Sequence, residues 1–186
     1  RERLRFLLED TIKRQLISDV PVGAYLSGGM DSGSITALAA NSIPRLMTFT
    51  GGFDLTNVSG FEAGFDERKD AEVLSALFKT EHYQMVFHAG DLEWALPRVI
   101  WAIEDLRVGM CYPYYYTARL AGRFVKVVLA GTGGDDIFAG YPWRYKVAEG
   151  AGSHQDFQAR YYRYWNRLVP DQQRHTFFSP EALRMA

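Results

Sequence analysis

Apolar residues at Leu4, Leu7, Leu8, Ile12 and Leu16 recur at helical spacing, which predicts an amphipathic helix from Arg1 to about Ile17. Pro21 blocks its continuation, and the apolar run Val22 to Leu26 reads as a first strand. A helix from Ser32 to about Asn41 follows, closed by Pro44. Leu46 to Thr50 form a second strand that Gly51-Gly52 is expected to stop. Leu55 to Gly64 is polar and glycine-bearing, hence a loop, and Asp66 is expected to cap a helix that carries Ala71, Leu74 and Phe78 on one face. His82 to Phe87 is a third strand. Asp91 to Ile103 has a helical period, with Pro97 expected to kink the helix or start it afresh. Tyr116, Leu120 and Phe124 mark another helix, and Val125 to Ala130 a fourth strand.

Strands that alternate with helices at this spacing imply parallel pairing through right-handed crossovers. Near-continuous apolar strands imply that both faces are covered. The expected class is therefore α/β: a parallel sheet of about four to five strands with helices on both faces, a Rossmann-like arrangement. After Tyr145 the pattern changes. Gly150 to Ser153 is small and flexible, and from Gln155 onward the chain reads as helical, rich in aromatics and arginine. No internal repeat or low-complexity tract is visible.

Composition narrows the class without changing it. The chain has 186 residues, 47% hydrophobic and 23% charged, as in an ordinary globular core. A net charge of −1 carries no electrostatic footprint for nucleic acid. No apolar run approaches the roughly 18 residues of a membrane helix, so no membrane partner is expected. Cys111 is the single cysteine, which excludes an internal disulfide and points to a reducing, cytoplasmic compartment. A buried structural thiol is the readier reading of Cys111 than a nucleophile, since no histidine stands near it in sequence.

Chemistry concentrates in two loops. Ser27-Gly28-Gly29-Met30-Asp31-Ser32 lies between the first strand and its helix. Adjacent glycines admit close backbone approach, and free N–H groups at a helix start attract an anion, most readily a phosphate. Gly131-Thr132-Gly133-Gly134-Asp135-Asp136 directly follows the fourth strand. Ligands of such sheets sit at the carboxyl ends of the strands. Asp31 and Asp135 are expected at that edge, where two carboxylates beside a polyphosphate make hard-oxygen anchors for Mg²⁺. The first loop is neither a Walker A loop, lacking its spacing and lysine, nor a G-x-G-x-x-G fingerprint. A bare tight connection is the alternative for a lone Gly-Gly, but the serines, the aspartate and the matching later loop weigh against it.

These residues resemble a known family. Ser27 to Ser32 is similar to the S-G-G-x-D-S loop of N-type ATP pyrophosphatases, and Val20-Pro21-Val22-Gly23-Ala24-Tyr25-Leu26 narrows the likeness to the synthetase domain of glutamine-dependent asparagine synthetases. Phe65 to Ala71 fits the family's following helix, and Gly131 to Tyr141 resembles its G-E-G-x-D-E-x-F-x-G-Y element. The likeness covers about Leu4 to Tyr145 and implies an adenine nucleotide alpha hydrolase-like fold. It further implies that a carboxylate attacks the α-phosphorus of MgATP, that an acyl-adenylate and pyrophosphate form, and that ammonia then displaces AMP. By position, Ser27, Gly28, Gly29 and Ser32 hold pyrophosphate, Asp31 and Asp135 hold Mg²⁺, and Leu26, Thr50 and Gly131 bracket the adenosine. Arg107 is a candidate for pyrophosphate charge, with a solvated surface arginine as the equal alternative. The implied partners are ATP, a small carboxylate, and ammonia from a glutaminase domain outside this chain; a homodimer is one open assembly.

The chain departs from the family pattern at Thr132, which stands where the family has a glutamate near the acceptor, so the acceptor stays open between aspartate and, in a related amidotransferase or cyclising synthetase, another carboxylate. A non-catalytic nucleotide module is the reading from another class. Asp136 replaces a second glutamate and is expected to cap the next helix. Residues 1–186 are read as a piece of a synthetase domain, since neither the family's N-terminal glutaminase nor its C-terminal substrate element is found. Tyr112, Tyr114, Tyr115 and Tyr116 read as helix packing before ring stacking. His82, His88, His154 and His175 show no metal spacing. Tyr161, Arg163, Tyr164, Trp165 and Arg167 read as a covering amphipathic helix before a single-strand binding surface.

Overall fold

The computed structural model describes residues 1–56, 66–104, 111–165, 169 and 171–185. They form two compact units, Arg1–Thr132 and Gly133–Ala186.

The first unit contains a four-stranded parallel sheet of order β3-β2-β1-β4, built from β1 (Val22–Tyr25), β2 (Met47–Phe53), β3 (Glu81–Phe87) and β4 (Val127–Leu129). Ala24 pairs with Thr48 of β2 on one side and with Leu129 of β4 on the other. The chain winds outward from β1 to β2 and β3, then returns across the sheet to β4. The order therefore reverses between β1 and β4, the topological switch point at which α/β sheets open a crevice.

Helices cover both faces, as expected. On one face α1 (Glu2–Gln15) and α2 (Met30–Ala40) enclose Ile12, Ala24, Ala39 and Leu46. On the other face α5 (Cys111–Ala121) and its extension pack Ala121 and Val125 against Phe49. Near the β3 edge, Phe87 meets Ala95 and Val99 of α4 (Asp91–Ile103) and Tyr116 of α5. Each fully buried large apolar side chain of this kind contributes about 1.5–3 kcal/mol. The tyrosine run is largely packing: Tyr112 and Tyr116 lie on Phe87, while Tyr114 faces solvent.

Several elements depart from the sequence pattern. β2 runs through Gly51-Gly52 to Phe53, paired residue by residue with Met85, Val86 and Phe87. The glycines permit this crowding: a Cβ on Gly51 would strike the Phe87 ring and one on Gly52 the Asp66 carboxylate. Pro97 does not break α4, because the helix is held by the burial of Ala95 and Val99 around it. α2 begins at Met30, two positions ahead of Ser32, which puts Asp31 in its first turn. β4 is limited to three residues, and residues 57–65 of the expected loop lie outside the described residues. Glu67 holds the N-cap position of α3 (Arg68–Phe78), and Asp66, one residue earlier, accepts the first helical N–H, that of Arg68, at 3.4 Å and the Arg68 guanidinium at 2.8 Å.

The second unit is helical: α6 (Gly134–Phe138), α7 (Pro142–Lys146), α8 (His154–Trp165), a 3-10 turn at Asp171–Gln173, α9 (Arg174–Phe177) and α10 (Pro180–Met185). Tyr145 of α7 stacks on Tyr161 of α8 with centroids 5.6 Å apart. The change of character read after Tyr145 thus begins earlier in the chain, at Gly133.

Candidate functional site

The carboxyl end of β1 leads into the site. Leu26 is 1% exposed; its N–H donates to the Phe49 carbonyl at 3.0 Å, and its carbonyl accepts the Thr50 hydroxyl from β2. Both main-chain groups of the residue before the loop are therefore held by the neighbouring strand.

Ser27 to Ser32 then form a tight, internally bonded turn. Ser27 N–H donates to Ser32 Oγ at 3.0 Å, Gly29 N–H donates to Ser27 Oγ at 3.1 Å, and the two hydroxyl oxygens lie 2.9 Å apart. Gly29 is the N-cap of α2, with extended backbone and no side-chain cap. The first intrahelical bond runs from Gly33 N–H to Gly29 O at 3.1 Å. Among the described residues no acceptor takes the N–H groups of Met30, Asp31 and Ser32. An eleven-residue helix thus presents three uncapped N–H groups and the positive end of its dipole at the sheet's switch point. Such an end binds anions.

Gly131, just after β4, closes the other side. A Cβ there would stand 2.7 Å from Ser32 N and 3.1 Å from Asp31 Cβ. Gly131 consequently lies directly over the Asp31–Ser32 peptide. Gly28 is crowded as well, since its Cβ would meet Asp70 Cβ at 2.5 Å. Asp70 falls in the stretch Phe65 to Ala71 that resembles the family's following helix, but the sequence assigned it no role at the loop. That helix start is anchored: Arg68 donates to Asp66 and, at 3.0 Å, to the Phe53 carbonyl at the end of β2.

The structure thus brings together Leu26, Ser27, Gly28, Gly29, Asp31, Ser32, Thr50 and Gly131. Thr132 is exposed at the end of the first unit. Asp135 belongs to the second unit, in the first turn of α6, where desolvation first and then the Asp135 hydrogen bond raise the Tyr141 phenol above its usual range. Asp136 caps no helix: Gly133, at φ 99°, is the N-cap of α6, and Asp136 instead pairs with Arg144 at 2.8 Å. Arg107 lies outside the described residues.

A second polar group lies at the carboxyl ends of β2 and β3. Asp54 is held down to about 2 by the Thr56 hydroxyl, then the Thr56 amide, then His88, whose Nδ1 is 3.1 Å away. Among the described residues no three His, Cys, Asp or Glu side chains converge as a metal cage.

Parallel strands, a switch point and an uncapped helix start beneath a glycine define a Rossmann-like α/β domain. The asparagine synthase family model matches residues 3–184. The chain belongs to the asparagine synthase family. A protein of Mycobacterium tuberculosis, assigned by name to the glutamine-hydrolysing asparagine synthetases, is 37% identical over 141 residues, which cover 75% of this chain and 21% of that protein. Asparagine synthetase (glutamine-hydrolysing) 1 of Bacillus subtilis is 33% identical over 141 residues, with the same shares of 75% and 21%. Asparagine synthetase B (glutamine-hydrolysing) of Escherichia coli is 30% identical over 174 residues, 84% of this chain and 30% of that protein. The chain therefore spans less than a third of the length of these relatives. A solved NH3-dependent NAD synthetase of Campylobacter jejuni overlaps 99% of this chain and 90% of its own at TM-score 0.44 and 15% identity.

Proposed function

We propose that this chain is the ATP-binding synthetase domain of a glutamine-dependent amidoligase. One observation carries the reading: the uncapped start of α2, roofed by Gly131, at the switch point of the sheet. The Met30, Asp31 and Ser32 N–H groups, with the serine hydroxyls, take the β- and γ-phosphates as pyrophosphate. Leu26, Thr50 and Gly131 border the adenosine. The substrate carboxylate attacks the α-phosphorus; the bond to the β-phosphate bridging oxygen breaks, and pyrophosphate leaves with that electron pair. Ammonia then attacks the acyl carbon of the adenylate, AMP departs, and the amide nitrogen loses a proton. The donors at α2 stabilise the charge that builds on the leaving pyrophosphate.

Asp31 and Asp135 are oxygen donors of the kind Mg²⁺ selects, and Mg²⁺ is commonly held by one or two carboxylates plus substrate phosphates. When bound it supplies charge neutralisation at the phosphates. Ammonia comes from a glutaminase domain outside this chain. The relatives' names favour aspartate as acceptor, and Thr132 favours a second reading in which another carboxylate is activated. The reading places the protein in the cytoplasm, and sedimentation tests a homodimer as its assembly.

The test is pyrophosphate exchange by the full-length protein with ATP and a panel of carboxylates. Exchange supported by aspartate alone rejects the second reading; exchange with a different carboxylate alone selects it. Asp31→Asn and Asp135→Asn are expected to abolish exchange and weaken MgATP binding. Unchanged MgATP affinity in both variants overturns the metal assignment, and full-length protein that binds ATP without exchange on any carboxylate overturns the ligase reading.

A further inference from the structure

Helices α4 and α5 carry an exposed aromatic and cationic surface that the nucleotide reading does not use. Trp94, Arg98 and Trp101 recur at helical spacing along α4 and share one face, while Ala95 and Val99 are buried on another. Trp101 is 86% exposed. Trp94 is held: its ring stacks on Tyr116 of α5 with centroids 5.9 Å apart, and Tyr116 is 8% exposed. The Arg98 guanidinium lies 3.8 Å from the centre of the Trp94 ring. Arg119 of α5 lies 5.5 Å from the same ring and 5.6 Å from that of Tyr115. Two cations from two helices are thus gathered around one indole.

Their charge has no counterion. Arg5, Arg14, Arg45 and Arg68 each hold a carboxylate, but among the described residues no carboxylate reaches ion-pair distance of Arg98 or Arg119. Asp91, at the start of α4, takes the His88 N–H at 2.6 Å and the Tyr116 hydroxyl at 3.4 Å instead. An aromatic face satisfies only the flat side of a guanidinium, whose N–H donors lie in its plane. Arg98 spends one donor on the Trp94 carbonyl at 2.8 Å; among the described residues Arg119 spends none. Stacking orders both groups before a partner arrives, which lowers the entropy cost of binding. A carboxylate is the protein group that a guanidinium fork matches, and the Trp101 indole nearby calls for an apolar side chain against it. Trp, Tyr and Arg are also the residues that dominate interface hot spots. With two such cations and a net charge of −1, the chain lacks the basic track that a nucleic acid needs.

We propose that the α4–α5 face is a docking surface for an acidic segment of another protein, whose carboxylates meet Arg98 and Arg119 and whose apolar side chain covers Trp101. None of these residues takes part in the phosphate-loop reading, so the two stand or fall separately.

The test titrates the full-length protein with a synthetic peptide in which glutamates flank a leucine–phenylalanine pair, and with its twin carrying glutamine for glutamate. The glutamate peptide is expected to bind at least about tenfold more tightly, with an affinity that falls as salt rises. Arg98→Gln and Arg119→Gln are each expected to weaken it about tenfold, the loss of a charged hydrogen bond. Trp101→Ala is expected to cost about as much. Arg98→Lys keeps the charge but loses the planar stack, and should fall between wild type and Arg98→Gln. All three side chains are exposed, so the variants are expected to fold. Absence of binding overturns the proposal, as does equal binding of the twin or of a single-stranded oligonucleotide, or undiminished affinity in both arginine-to-glutamine variants. Acrylamide quenching of Trp101, read as the difference between wild type and Trp101→Phe, tests the other occupants. An indole open in the free protein and shielded by the glutamate peptide supports the proposal. Shielding at every protein concentration assigns the face to the protein's own further chain, and shielding that grows with concentration assigns it to a second copy; either overturns the proposal.

Discussion

Gly131 and Gly133 are separated by one residue and are glycine for different physical reasons. Gly133 has φ 99° and open space around it, so it answers a backbone need. Gly131 answers a need for room, with Ser32 N only 2.7 Å from where its Cβ would stand. Gly131→Ala is expected to force that peptide aside and cover the α2 donors, lowering MgATP affinity by about tenfold or more, with an overpacking cost of about 1–3 kcal/mol in stability. Calorimetric titration and denaturant melts read the two effects separately. Thr36 makes the opposite prediction. It is 0% exposed, and its hydroxyl has no hydrogen-bond partner among the described residues. Thr36→Val keeps the shape and removes the desolvated group, so stability is expected to rise by about 1 kcal/mol. The urea midpoint should increase with an unchanged slope; a decrease would reveal an acceptor for that hydroxyl.

Between β2, β3 and α3 a small polar network is enclosed in the sheet face. Thr48 Oγ1 lies 2.9 Å from both Thr80 Oγ1 and His82 Nδ1, and Thr80 donates to Ser75 at 3.1 Å. His82 Nε2 is buried without a partner among the described residues. Burial therefore holds the His82 imidazole below its ordinary value of 6.5, with Glu72 opposing weakly. The folded state binds fewer protons than the unfolded chain through this range, so stability rises with pH. The contribution of neutral His82 is complete above 6.5 and is lost as the pH falls below it. Urea melts at successive pH values should show this acid slope in the wild type and a flatter one in His82→Gln. The His82 ring signal should titrate below 6.5; a midpoint above it contradicts the sign.

For the molecule as a whole, stability and ligand are linked. A ligand that binds only the folded form adds about 2.7 kcal/mol at a hundred times its Kd. For a chain of this size each kcal/mol moves Tm by about 2–4 °C. Saturating MgATP is expected to raise the melting temperature of the first unit by about 5–10 °C, and Asp31→Asn to remove most of the shift. Scanning fluorimetry measures both; an equal shift in Asp31→Asn would show that this carboxylate takes no part in nucleotide binding. The two units make separate transitions the safer basis for such measurements than a single global one.

Local pattern was enough for the alternation of strands and helices, the parallel class, and the loop Ser27 to Ser32, because apolar period and glycine placement are written residue by residue. It failed where distant atoms outweigh local preference. Gly51-Gly52 looked like a strand end, yet Phe87 and Asp66 need the space those glycines leave, and pairing with β3 carries the strand through. Pro97 looked like a kink or a fresh helix start, and α4 runs through it as one helix with Ala95 and Val99 buried on either side. Asp136 looked like a cap, but Arg144 eight positions on takes its carboxylate. The residue types of the loop Ser27 to Ser32 were determined by sequence alone. The strand order that places Gly131 over Ser32, the approach of Asp70 to Gly28, and the unequal burial of the two serines were decided by packing, since they depend on atoms that approach only when the sheet assembles.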